Sequence, residues 1–165
     1  MKLVIGVQVW MDADACVLRY ELTGLLSALK IPAAQPQGGP ADGLWQHTCF
    51  EAFCSDGQTE AYQEFNFAPS GRWAAYRFAA ERVRDTDAQA LHAPVLDCRL
   101  SPQALSLTAS LPRAALPPSA SGWALGLSAV VEETDGRLSY WALHHPGARP
   151  DFHHPGGRTL RLAHP

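Results

Sequence analysis

Hydrophobic residues recur at every second position along nearly the whole chain, a period that fits strands and not amphipathic helices. Leu3, Ile5, Val7 and Val9 alternate with Lys2, Val4, Gly6 and Gln8; Cys16, Leu18, Tyr20 and Leu22 repeat the pattern around Val17, Arg19 and Glu21. Helical spacing occurs early only at residues 23–30, through Leu25, Leu26 and Leu29, before Pro32, Pro36, Gly38, Gly39 and Pro40 mark a long loop. The pattern predicts strands over residues 44–55, 61–68 and 72–78, separated by Asp56-Gly57 and by Pro69-Ser70-Gly71. Residues 81–89 read as a loop or short helical turn. Further strands are predicted over 95–100, 105–111, 123–133, 138–144 and 159–162, with Thr134-Asp135-Gly136 joining the two that form a hairpin. About nine or ten short strands with turn signals between them imply an all-β fold, a sandwich or a barrel.

At 165 residues, 47% hydrophobic and 18% charged, the chain is sized and composed for one globular domain spanning residues 1–165. The net charge of −3 and scattered basic residues leave no electrostatic footprint for nucleic acid. No apolar run approaches the ~20 residues of a membrane-spanning helix, and residues 1–9 lack the apolar core of a secretory signal. With Met1 as the native start, the expected location is cytoplasmic. Cys16, Cys49, Cys54 and Cys98 form no C-x-x-C pair and read as reduced, mostly buried thiols.

The most informative segment is Tyr62-Gln63-Glu64-Phe65-Asn66-Phe67. Gln63, Phe65 and Phe67 share one strand face and suit a core, while Tyr62, Glu64 and Asn66 share the other, as a solvated surface or the wall of a polar pocket. On the preceding strand Phe50, Ala52 and Cys54 can face inward, with His47, Cys49, Glu51 and Phe53 opposite. Pairing of the two strands would bring Glu51 towards Glu64, where two carboxylates could do acid/base work, coordinate calcium or accept hydrogen bonds from sugar hydroxyls. Of five tryptophans, Trp45, Trp73 and Trp141 fall at strand starts or beside loops, where an indole could stack on the C–H face of a pyranose. A third cluster runs through Tyr140, Trp141, His144 and His145 to Asp151, His153 and His154; His145, Asp151 and His153 are its candidate metal ligands and would make a metal-dependent hydrolase the alternative to an acid/base pair. No dinucleotide fingerprint, Walker A loop, nucleophile elbow or kinase motif is present, so the leading reading is a non-catalytic, ligand-binding chain.

Leu44-Trp45-Gln46-His47-Thr48-Cys49-Phe50-Glu51-Ala52-Phe53, Tyr62 through Trp73, residues 126–132 and the stretch from Ser139 to His153 together resemble the DOMON-like superfamily, within it the small bacterial proteins similar to family 9 carbohydrate-binding modules. The resemblance runs from about Val7 to Leu162. It implies an antiparallel β-sandwich of immunoglobulin or jelly-roll type with a ligand site at a sheet face or its rim. It also implies one of two ligand classes, a small carbohydrate held between aromatic rings or haem b held by axial side chains. For the first, Trp45 or Trp73 would work with Trp141 and Tyr140, aided by Glu51, Tyr62, Glu64 and Asn66. For the second, Met11 with His145, or two histidines, would serve as axial ligands. Structural calcium and haem b are the cofactor candidates.

Overall fold

A computed structural model describes residues 2–87 and 92–165. Among the described residues twelve strands form two sheets. The smaller holds β1 (Val4–Met11), β2 (Ala15–Thr23), β9 (Ala104–Pro112) and β8 (Val95–Leu100), in that order and antiparallel. The larger runs β11 (Leu138–Ala142), β10 (Trp123–Glu132), β4 (Cys49–Ser55), β5 (Tyr62–Phe67), β6 (Arg72–Ala80) and β3 (Gly39–Pro40), with β12 (Leu160–Leu162) also on β10 and β7 (Val83–Arg84) also on β6. The expected antiparallel sandwich is therefore found, with one exception: the two-residue β3 runs parallel to β6. Two two-residue strands lying in predicted loops, β3 and β7, bring the count above nine or ten.

Alternation decides what lies between the sheets. Leu18, Tyr20 and Leu22 from β2, Leu105, Leu107 and Leu111 from β9, Phe50 and Ala52 from β4, Phe65 and Phe67 from β5, and Leu125 and Leu127 from β10 are buried in one core cluster. Burying a large aliphatic or aromatic side chain contributes about 1.5–3 kcal/mol, so these inward rows dominate stability. Tyr20 stacks on Phe50 with ring centroids 4.9 Å apart, and its hydroxyl donates 2.8 Å to the Glu51 carbonyl. All four cysteines are free, and three are buried.

Three expectations are corrected. The predicted strand over 44–55 begins only at Cys49, because Gly43 takes a left-handed conformation (φ 73°) that reverses the chain into a 3-10 turn at Leu44–Gln46. That reversal frees Trp45 from the ladder. The helical spacing at 23–30 yields a single 3-10 turn at Leu26–Ala28, too short to bury a stripe, so Leu25 stays exposed. In the predicted loop over 81–89, residues 83–84 pair with β6, and residues 88–89 lie outside the described part. Among the described residues no helix is long and apolar enough to cross a membrane.

Candidate functional site

The outward face of β4 and β5 is buried too, although among the described residues no second sheet covers it. In register, Glu51 lies opposite Asn66 and Phe53 opposite Glu64; β10 adds Ser128 beside Glu51, and β6 adds Tyr76 beside Glu64 and Phe78 beside Tyr62. Directly opposed residues share a face. Glu51, Phe53, Tyr62, Glu64, Asn66, Tyr76, Phe78 and Ser128 therefore form one patch, with the two glutamates as diagonal neighbours.

Residues 143–158 cross this patch as a strap. Phe152 packs against Phe53 and Tyr140, and the His153 ring meets Phe53 and Phe78 edge-on, each at 5.1 Å. Arg158 lies over the Tyr62 ring at 4.8 Å. Asp151 accepts from Arg82 at 2.8 Å, and Arg82, at φ 58°, is the one non-glycine with positive φ among the described residues. A side chain held in that region costs about 1–3 kcal/mol and marks a position fixed by its surroundings. Here the surroundings are on both sides: the Arg82 N–H donates to the Tyr62 hydroxyl at 3.0 Å and its guanidinium holds the strap.

The strap can lie this close because β10 carries small residues on its outer face. A β-carbon at Gly126 would stand 3.1 Å from the Gly157 carbonyl oxygen and 3.3 Å from its carbon. Gly126→Ala is expected to destabilise the fold by about 1–2 kcal/mol through this overpacking and to raise proteolytic cleavage within 143–158. Unchanged denaturation and cleavage would show that the strap does not rest there.

Between strap, sheet and the Gly43–Gln46 turn is a cavity of about 730 Å³, within the size range of small-ligand sites. Glu51, Phe53, Glu64, Val130 and Phe78 contribute to its floor; Trp45, Tyr76, Tyr140 and Phe152 supply aromatic walls, and Asp42, Arg82, Arg84, Asp151 and His153 polar ones. Tyr76 donates to Asp42 at 2.6 Å and carries the Arg84 guanidinium 3.9 Å over its ring.

Burial sets the charges on the floor. It pushes the Glu51 carboxyl up to about 8, reinforced by the Glu64 charge, while the Cys49 thiol, donating at 3.6 Å, pulls the other way. Burial raises Glu64 to about 6, moderated by the Asn66 amide, Arg84 and Arg82. His153 is held down near 4, first by burial and then by Arg82. Its Nδ1 is 2.8 Å from the Tyr62 hydroxyl. Because that oxygen already accepts from Arg82, the Tyr62 proton goes to Nδ1, which leaves Nε2–H directed to Glu64 at 3.6 Å. At neutral pH the floor thus holds a protonated Glu51, an ionised Glu64 and a neutral His153.

Asn66 is 0% exposed, yet among the described residues neither amide atom has a hydrogen bond of normal geometry, and the buried Ser128 hydroxyl is likewise unpartnered. A buried polar atom left unpaired costs about 1–3 kcal/mol. Both stand opposite Glu51 in the sheet, Asn66 from β5 and Ser128 from β10, beside the cavity and not on its lining.

The structure separates the sequence-derived candidates. Glu51, Glu64, Trp45 and Tyr140 line the cavity; Tyr62 and Asn66 lie on the same sheet face, Tyr62 bonded to His153. Trp73 does not reach it: it sits opposite Phe67 and so shares the inner face. Trp141 sits opposite Ala129, packs against the core and faces the gap between the sheets. The proposed metal set is not assembled. Asp151 is engaged by Arg82 and His153 by Tyr62, His145 lies against the Phe152 ring, and no group of three or more His, Cys, Asp or Glu among the described residues is placed to hold a metal. Met11 packs against the core from β1, in the other sheet, so it makes no axial pair with His145. Sequence reading missed Ser128, Tyr76, Phe78, Arg82, Arg84 and Phe152. The alternation of Tyr76 with Phe78 was a usable signal; the Arg82–Asp151 pair, far apart in sequence, left none.

No family model matches the chain, and no curated protein matches it by sequence. Among solved structures it is similar to a candidate carbohydrate-binding protein from Bacteroides uniformis ATCC 8492, with TM-score 0.70 and 17% identity over 99% of this chain and 79% of that one. It is also similar to a family 9 carbohydrate-binding module from Caldicellulosiruptor kristjanssonii in complex with cellotriose (TM-score 0.62, 10% identity, 99% of this chain and 75% of that). A module of the same family and organism in complex with glucose gives 0.56 and 10% over 86% of this chain and 66% of that. At these identities the likeness is one of fold.

Proposed function

We propose that the chain is a non-catalytic binding domain for a small carbohydrate, taken up in the cavity between the strap and the outer face of β4 and β5. The observation that carries this reading is the cavity floor, where the carboxyls of the buried Glu51 and Glu64 face the space and Arg82, Arg84 and His153 stand on its walls. A set that both donates and accepts matches vicinal hydroxyls, each of which does both. The exposed Trp45 and Tyr140 at the rim offer flat apolar faces for the C–H side of a ring. Two solved structures of the same fold hold cellotriose and glucose, which supports the ligand class. A place among the DOMON-like proteins, beside the family 9 modules, agrees with it. Binding is favoured over catalysis because the groups round the floor are tied to one another, His153 to Tyr62 and Asp151 to Arg82, as positioning contacts.

Titration calorimetry against glucose, cello-oligosaccharides and a panel of other mono- and disaccharides tests the proposal. Heat is expected with at least one, and Trp45→Ala should weaken it about 10-fold, the loss of one stacking contact of about 1 kcal/mol or slightly more. Absence of heat across the panel sinks the carbohydrate reading.

A further inference from the structure

We propose that two copies of this chain associate through β1, edge to edge and antiparallel, so that the two four-stranded sheets become one continuous sheet. β1 has a single neighbour, β2, and over its eight residues contains no charge and no proline. Such an edge offers a row of free backbone N–H and C=O groups to another chain, and proteins that stay single usually blunt it. The other edges here are blunted. β8 carries Asp97 and Arg99 as an ion pair, β11 and β12 are five and three residues long, and β3 and β7 have two each.

The occupant is argued from register. Residues whose backbone groups point away from β2 alternate along β1, and directly opposed residues share a face, so a two-fold pairing has to centre on a residue rather than between two. With Val7 on the axis, Val4 of each copy meets Trp10 of the other. These are the two exposed apolar residues of the outer face, at 55% and 37% exposure. The same register sets Lys2 against Asp12, opposite charges at both ends, and Leu3 against Met11 and Ile5 against Val9 on the inner face. Asp12 is already fixed beside the strand end, accepting from the Asp14 and Ala15 N–H groups. Moving the axis to Gln8 puts Val4 against Asp12, and moving it to Gly6 puts Lys2 against Trp10. Only the Val7 axis matches apolar with apolar and charge with countercharge.

A second feature lies on the same side. Between β1 and β11 the sandwich is open, and Ile5, Val7, Leu127, Trp141 and Leu143 line a narrow apolar cleft of about 80 Å³. A copy continuing the β1 sheet stands over that opening. The ligand cavity faces outward from the other sheet, so the dimer presents two cavities, and the association does not depend on what they bind.

Sedimentation of the full chain across a concentration series, into the millimolar range, reads this directly. The expected result is a monomer–dimer equilibrium. Val4→Lys/Trp10→Lys places like charges together twice and should raise the dissociation constant about 100-fold, and Lys2→Glu about 10-fold. Hydrogen exchange on the unmodified protein gives an independent reading, with alternate β1 amides protected more at high than at low concentration. A monomer at every concentration overturns the proposal. So does a dimer unmoved by Lys2→Glu with β1 amides exchanging alike at both concentrations.

Discussion

Glu51→Gln should leave stability unchanged in mild acid and raise it by on the order of 4 kcal/mol at about pH 9. The Glu51 carboxyl is 3% exposed and titrates near 8 in the fold against 4.5 ordinarily. Between those values the native chain holds a proton that the unfolded chain has lost, so stability falls as pH rises, by about 1.4 kcal/mol per pH unit. Glutamine keeps the shape and never ionises. Glu64 adds a smaller loss of the same sign between 4.5 and about 6. His153 acts oppositely: held neutral down to about 4 against an ordinary 6.5, it adds stability as pH rises through that window. Above about 6.5, of these three groups only Glu51 still titrates. Urea midpoints at pH 4, 7 and 9 for both proteins should therefore nearly coincide at the first and diverge steadily after it. Parallel curves would mean that Glu51 is solvated in the fold.

Asn66→Leu should stabilise the protein and disable it together. Leucine repeats the branched four-atom side chain of asparagine, with methyl groups bulkier than the amide atoms, and brings no unpaired donor or acceptor into a fully buried position. Relief of two unpartnered amide atoms is expected to contribute about 2–3 kcal/mol. Loss of the amide that holds the Glu64 carboxyl down should weaken carbohydrate binding about 10-fold, because the cavity carboxylate that accepts a hydroxyl is then protonated more readily. Thermal unfolding and calorimetry on one preparation read both effects. A destabilised variant would indicate that the amide is paired in the native protein; a stabilised one with intact affinity would move the ligand elsewhere in the cavity. Improved stability at the expense of function is common where a site is held in an unfavourable state.

The fold was legible because strand periodicity and turn chemistry are local. Alternation named the inward rows of β1, β2, β4 and β5, and Asp56-Gly57 forms a turn in which the Asp56 carboxylate accepts the Gln58 and Thr59 N–H groups. The polar face of Tyr62, Glu64 and Asn66 was legible for the same reason. The tryptophans were harder. Tyr140 and Trp141 are consecutive on one strand, so they face opposite sides, and alternation alone allows only one of them at the site. Which one depends on how β11 pairs with β10, a long-range register that composition does not encode. Trp73 illustrates the same dependence through its partner Phe67. The strap lay beyond reach because its histidines and Asp151 read equally well as ligands or as anchors until Arg82 and Tyr62 are seen beneath them.

Because β4 and β5 turn hydrocarbon to one side and the glutamates, asparagine and tyrosine to the other, neighbouring positions of a single strand answer to separate demands. Variation at 51, 53, 62, 64 and 66 can accumulate while 50, 52, 65 and 67 hold the sandwich shut. A lineage built this way is free to change its taste in ligands by rewriting every other letter, and an engineer can diversify the same alternate codons without first having to rebuild the fold.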